Sequence, residues 1–193
     1  MKNMRKVEEL LGIIIRKNLG LTISSYRNLV RLMFLEGRVL HALSLKVLIL
    51  GQRYSNDLII YNILICSLFA TGNCSLVNKI LDELQEKELQ ANQVTYNFLV
   101  YGFSECKDVS STVHWLSMMI SDEIRPSNQS LRAVISSLCN VGDLGKALQL
   151  SQEMESRGWV HGSSIQNTIV RGLISHGKPQ EAEDLLDRMV ENA

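Results

Sequence analysis

Cysteine and histidine are the first residues to consider as metal ligands or catalytic groups in this 193-residue sequence. They are Cys66, Cys74, Cys106 and Cys139, and His41, His114, His161 and His176. No two cysteines form a Cys-x-x-Cys pair and no histidine stands at ligand spacing beside one, so we expect no zinc site and no cofactor. We expect the cysteines to be inert small hydrophobic residues of a reducing compartment. No serine, histidine and acid combination stands out, so we do not expect an enzyme.

The elements that position these side chains follow a period of 35 residues, on which Gly37, Gly72, Gly142 and Gly177 stand, with Lys107 in the remaining place. Apolar residues repeat in the same register: Tyr26, Tyr61 and Tyr96; Leu29, Leu64, Leu99, Val134 and Ile169; Val30, Ile65, Val100, Ile135 and Val170; and Met33, Leu68, Phe103, Leu138 and Leu173. A fixed internal period predicts stacked structural repeats rather than one globular core.

Each repeat contains two amphipathic patterns, because its apolar residues are spaced three, four and seven apart. The predicted helix pairs cover 25–36 and 38–50, 60–71 and 73–85, 95–106 and 108–120, 130–141 and 143–156, and 165–176 and 178–191, after a single helix at 3–16. The register gives the second helix of a truncated repeat at 1–22, repeats at 23–57, 58–92, 93–127 and 128–162, and an incomplete repeat at 163–193. The expected fold is an all-α, right-handed superhelical solenoid of antiparallel helix pairs.

Residues at the predicted helix ends agree with this division. The glycine column falls between the two helices of a repeat, where a left-handed residue commonly ends a helix. Asn73, Asp108 and Asp143 precede second helices and are expected to cap them, and Pro179 falls in a first turn, where its missing N–H does no harm.

The bulk composition argues against a strong polyanion binder, because 20 basic and 20 acidic residues cancel. No apolar stretch approaches the about 18 residues that a membrane-spanning helix needs, so we expect no membrane partner. The partial repeats at both ends indicate a piece of a longer array without its targeting segment. Such ends would expose apolar faces, so we expect self-association through them, above all through the helix at 3–16.

Four stretches resemble one family. Residues 94–103 read VTYNFLVYGF, residues 142–150 read GDLGKALQL, residues 177–189 contain GKPQEA and LLDRM, and residues 124–127 read IRPS at a repeat junction. With the uniform 35-residue period, these stretches resemble pentatricopeptide repeats of the plain type. A tetratricopeptide array fits less well, because its period is about 34 residues and its Trp-x-x-Leu-Gly signature is absent.

The resemblance implies selective binding of single-stranded RNA in a mitochondrion or chloroplast, for RNA processing, stability or translation. It implies one base per repeat, read by the fifth and last residues. In this sequence those pairs are Arg27 with Asp57, Asn62 with Asn92, Asn97 with Ser127, and Arg132 with Gly162, followed by Asn167 alone. The second residue would wedge between bases, a role that the apolar Ile59 and Val94 suit better than Ser24, Gln129 and Ser164.

By the same analogy, Asn62 with Asn92 should favour pyrimidines and Asn97 with Ser127 should favour cytidine, since an amide can meet a Watson–Crick edge. Arg27, Arg132 and Gly162 depart from the family's usual reading residues. Many members also have a phosphate-binding lysine near the end of the first helix. That column here contains no basic residue: Leu35, Ala70, Glu105, Asn140 and Ser175. We therefore expect weak RNA binding by this chain alone.

Two alternatives stay open. Asn62, Asn97 and Asn167 could instead satisfy backbone groups in the first turns of their helices. The array could also be a protein–protein interaction scaffold in a larger complex, with little RNA affinity of its own. A basic surface on the first helices would favour RNA, and an apolar patch there would favour a protein partner.

Overall fold

The computed structural model of the chain describes residues 22–49, 57–159 and 164–191, together with Ile13. The first helices of successive repeats are α1 (Ile23–Leu35), α3 (Asp57–Ala70), α5 (Gln93–Glu105), α7 (Asn128–Asn140) and α9 (Ser164–Ser175). The second helices are α2 (Val39–Ile49), α4 (Val77–Glu86), α6 (Val109–Ser121), α8 (Leu144–Ser156) and α10 (Pro179–Glu191). A short 3₁₀ turn, Cys74–Leu76, precedes α4, and these described residues contain no strand.

Two compact units divide the chain, at 1–90 and at 91–193. In the first unit, α1 packs against α2 and α3, and α3 packs against α4. In the second unit, α5 packs against α6 and α7, α7 against α8 and α9, and α9 against α10. Each first helix therefore contacts its own second helix and the next first helix within its unit, which confirms the all-α solenoid of stacked helix pairs. The predicted helix at 3–16 lies outside the described residues except for Ile13.

The repeat columns form the core of both units. The three tyrosines of the repeat, Tyr26, Tyr61 and Tyr96, are buried, as are Leu64, Leu99, Val134 and Ile169 of the next column. First helices begin one to three residues earlier than predicted, as α5 does at Gln93 instead of residue 95. At α1, α5 and α7 the side chain of the preceding residue, Thr22, Asn92 or Ser127, caps the helix and so fixes its first turn.

The turns between paired helices confirm that the residues of the glycine column adopt the left-handed backbone conformation. The four glycines of the column have φ between 71° and 79°. Lys107 adopts the same conformation at φ 60°, and Asp108 N–H bonds to Phe103 C=O at 3.0 Å, the long hydrogen bond that closes such a turn. The column thus keeps its geometry without glycine, at a cost of about 1 kcal/mol for the left-handed lysine.

Two of the three predicted caps of second helices are confirmed. Asp108 Oδ1 accepts from Ser111 N–H at 3.0 Å, and Asp143 Oδ1 accepts from Lys146 N–H at 3.3 Å. The cap by Asn73 is wrong, because its side-chain amide donates to Thr71 and a 3₁₀ turn separates it from α4.

The expectation of four inert cysteines needs a correction. Cys66 and Cys139 carry free thiols, whereas Cys74 and Cys106 are disulfide-bonded. Sequence spacing does not reveal which cysteines approach closely enough for such a bond. Among the described residues, no group of three or more His, Cys, Asp or Glu side chains could hold a metal ion. Within the same ranges, no helix is both long and apolar enough to cross a membrane.

Two buried tyrosines donate hydrogen bonds to carboxylates. Tyr96 O–H donates to Asp122 Oδ2 at 2.5 Å. Tyr61 O–H donates to Glu83 Oε2 at 3.3 Å, and Lys46 Nζ forms an ion pair with the same carboxylate. Burial first, and then the neighbouring acid, raises the pKa of each phenol to about 12.

These raised pKa values predict a loss of stability in alkali. The folded protein holds the phenol protons more tightly than the unfolded chain, so the stabilisation is complete below about pH 10, the unfolded pKa. It should fall as the pH rises from 10 to about 12. Urea unfolding at a series of pH values would show this, and Tyr96→Phe should flatten the dependence. A midpoint that stays constant across that window would contradict the assignment.

Candidate nucleic-acid interface

One exposed face of each first helix collects the second, fifth, ninth and thirteenth residues of its repeat. In α5 these are Val94, Asn97, Tyr101 and Glu105, whose spacings of three and four residues place them on one side of the helix. Val94 is 49% exposed and Tyr101 is 37% exposed, while Asn97 is half-buried. We call this side of each first helix the A face.

The predicted wedge positions all lie on the A face. Ile59 is 37% exposed and Val94 is 49% exposed, although each is a large apolar residue next to a well-packed core. Ser24, Gln129 and Ser164 are exposed at the same position of their repeats. The wedge column is therefore open to solvent, and its two apolar members carry surface that a base could cover.

Asn97 joins its repeat to the next one. Its Oδ1 accepts from the Ser127 backbone N–H at 2.9 Å and from the buried Ser130 hydroxyl at 2.7 Å. Its Nδ2 donates to Gln93 C=O at 2.7 Å, one turn earlier in α5. The structure thus brings the predicted pair Asn97 and Ser127 together. The Asn97 carbonyl is already used within the protein, and one amide hydrogen remains.

The last residues of the repeats have a structural role that the sequence analysis missed. Asn92 Oδ1 accepts from Thr95 N–H at 3.0 Å at the start of α5, and Ser127 Oγ accepts from Ser130 N–H at 3.1 Å at the start of α7. Both are N-caps of the following first helix. The polar residue three positions after each of them, Thr95 or Ser130, is the sequence signal that could have revealed these caps.

Asn62 differs from Asn97 although it has the same position in its repeat. Only 6% of it is exposed, and its Oδ1 is buried without a hydrogen-bond partner. Its predicted partner, Asn92, is exposed and belongs to the second compact unit, whereas Asn62 belongs to the first. A buried carbonyl without a partner is unfavourable, so Asn62 has an unused acceptor at a predicted reading position.

The remaining predicted reading residues lie in different surroundings. Arg27, Arg132 and Asn167 are exposed on α1, α7 and α9, and Asp57 is half-buried as the first residue of α3. Gly162 lies outside the described residues. Near Arg27, burial raises the pKa of the Cys66 thiol, and the guanidinium partly opposes this.

The A face carries more basic residues than Arg27 and Arg132, the two that belong to the predicted reading pairs. Arg31 and Arg171 occupy the ninth position of their repeats, one turn beyond the fifth, and both are exposed. The column where a phosphate-binding lysine was expected is exposed too, at Leu35, Ala70, Glu105, Asn140 and Ser175, and it contains no basic residue.

Charge is divided between the two kinds of helix. The described first helices contain four arginines and two acidic residues, Asp57 and Glu105. The described second helices contain four basic and ten acidic residues. The overall neutrality of the chain therefore hides a relatively basic set of first helices, which counting charges by helix could have shown from the sequence.

The comparisons with known proteins agree with this architecture. The PPR repeat family model matches residues 56–105, and the PPR repeat model matches residues 130–159 and 167–192. A mitochondrial pentatricopeptide repeat-containing protein of Arabidopsis thaliana is 49% identical over 192 residues, a match that spans 98% of this chain and 16% of that protein.

Two solved structures have the same fold. The crystal structure of the pentatricopeptide repeat protein PPR10 from maize matches with a TM-score of 0.75 at 22% identity, covering 94% of this chain and 26% of that one. The PPR domain of Arabidopsis thaliana protein-only RNase P 1, solved with tRNA, matches with a TM-score of 0.65 at 16% identity, covering 84% of this chain and 86% of that one.

Proposed function

Because the chain belongs to the pentatricopeptide repeat family, we propose that it binds single-stranded RNA along its A face, one base per repeat, and does not itself catalyse a reaction. Two solved family structures contain RNA, an 18-nucleotide psaJ element in PPR10 and tRNA in the RNase P domain, which supports this proposal. The location is organellar, as expected, since three of the relatives are named as mitochondrial or chloroplastic proteins.

The A face carries this proposal, because it combines exposed apolar wedges, amides and arginines on one side of the first helices. Apolar surface and aromatic rings can cover base faces, and arginines attract the backbone. This favours RNA over the alternative of a protein scaffold, for which a continuous apolar patch on the same side would be the better support.

Base selection would rest on the middle repeats. With its carbonyl held by Ser127 and Ser130, Asn97 has an amide hydrogen left to donate. A donor suits the N3 acceptor of cytidine, in agreement with the preference that the family resemblance implies. Asn62 with Asn92 remains our proposal for a pyrimidine site.

The test is fluorescence anisotropy with short single-stranded RNAs at low salt. Val94→Glu should weaken binding about tenfold or more, because it removes apolar surface that a base could cover and adds a negative charge beside the RNA phosphates. Met118→Glu is the matched control, since Met118 is also apolar and 41% exposed but lies on the second helix α6. Equal losses in the two variants, or no binding by the unmodified chain, would reject the A face as an RNA site.

A further inference from the structure

We propose that Arg27, Arg31, Arg132 and Arg171 bind backbone phosphates of the RNA, so that repeats with arginine at the reading position hold the strand without reading a base. This inference rests on the proposed function of the A face. It gives a role to Arg27 and Arg132, which depart from the family's usual reading residues.

Each of the four arginines lies on the A face of its own first helix. Arg27 and Arg31 are four residues apart on α1, so they lie one turn apart on the same side. In the second unit, Arg132 lies on α7 and Arg171 on the neighbouring α9, one turn beyond the position that corresponds to Arg132. All four side chains are exposed.

These guanidinium groups have no acidic partner within the described part of the chain. None of the ion pairs there involves them, in contrast to Arg157, which pairs with Glu153 at 2.9 Å. No acidic residue stands three or four positions from any of them on its helix. Like charges four residues apart, as at Arg27 and Arg31, are unfavourable without a counter-ion, so an anion bound there would relieve this repulsion.

The surrounding residues favour phosphate over a base as the ligand of Arg132. Its predicted reading partner is Gly162, which has no side chain to hold a base edge. A guanidinium offers five donors in a planar fork that matches the oxygens of a phosphate. The usual lysine column contains no basic residue. On α1 and α9, the ninth-position arginines, Arg31 and Arg171, stand four residues before that column.

The experiment compares two double variants with the unmodified chain. One variant combines Arg27→Gln with Arg31→Gln, and the other combines Arg132→Gln with Arg171→Gln. Binding of single-stranded RNA is measured by anisotropy over a range of salt concentrations. For single strands the slope of log K against log salt changes by about 0.7 for each phosphate contact, so each double variant should lose about 1.4 from the slope. At low salt its affinity should fall about tenfold, equally for all RNA sequences and for an RNA with abasic positions.

The control variant Lys79→Gln, Lys178→Gln removes two exposed positive charges outside the first helices and should leave the slope nearly unchanged. If the unmodified chain binds RNA but the arginine variants keep its slope, the phosphate contacts are refuted and RNA binding stands. A loss confined to guanine-containing RNA would refute them in favour of base reading. If the unmodified chain binds no RNA at low salt, the proposed function itself fails.

Discussion

Replacing Gly172 with alanine is expected to lower the free energy of unfolding by about 2 kcal/mol. Gly172 lies in α9 where this helix meets α7, and a Cβ built on it would lie 2.6 Å from Cys139 Sγ and 2.8 Å from Cys139 Cβ. The sulfur could turn away, but Cys139 Cβ moves only with its backbone, so the two helices would have to separate. The urea unfolding midpoint measures this effect.

Gly145→Ala is the matched control for this substitution. Gly145 also lies within a helix, α8, but a Cβ there would have no atom within 4 Å. Alanine should therefore stabilise the protein by about 0.5–1 kcal/mol through its higher helix propensity. If both alanine variants shift the midpoint in the same direction, close helix approach does not explain the glycine at position 172.

Replacing Asn97 with alanine is expected to lower the free energy of unfolding by about 1–2 kcal/mol even without RNA. The substitution leaves the half-buried Ser127 N–H without its acceptor, and the buried Ser130 hydroxyl loses one of its partners. Urea unfolding of the RNA-free protein measures this change.

Asn167→Ala tests whether the effect belongs to the contacts or to the residue type. Asn167 has the same position in its repeat but is exposed, so its replacement should change the stability by no more than about 0.5 kcal/mol. Equal stability losses in the two variants would show that the bonds of Asn97 to the next repeat contribute little. The comparison also separates a loss of RNA binding through unfolding from a loss of base contact.

The sequence predicted the repeat architecture well because the same apolar residues recur in each repeat. Buried columns such as Tyr26, Tyr61 and Tyr96 indicate which side of a helix packs against the core. The glycine column indicates where the chain turns between helices. Helix starts were less accurate, since they depend on capping by the last residue of the preceding repeat, such as Ser127.

The sequence could predict which helix side the candidate site residues occupy, but not which residues their side chains contact. The wedge positions and the reading-position arginines, Arg27 and Arg132, lie on the A face, whereas Arg31 and Arg171 were not among the predicted site residues. That Asn97 is bonded to the next repeat while Asn62 is buried with an unused carbonyl depends on how neighbouring helices meet, which one sequence does not encode by spacing. The alternative that these asparagines satisfy backbone groups holds for Asn97, which bonds to the backbones of Gln93 and Ser127.

The bond from Ser127 N–H to Asn97 has a further consequence for the motion of the chain. A backbone amide exchanges its hydrogen with solvent only when its hydrogen bond opens. Most amides of α5 and α7 bond within their own helix, but that of Ser127 bonds to a side chain of the preceding repeat. The hydrogen-exchange rate of the Ser127 amide therefore measures how often the two neighbouring repeats separate at this junction.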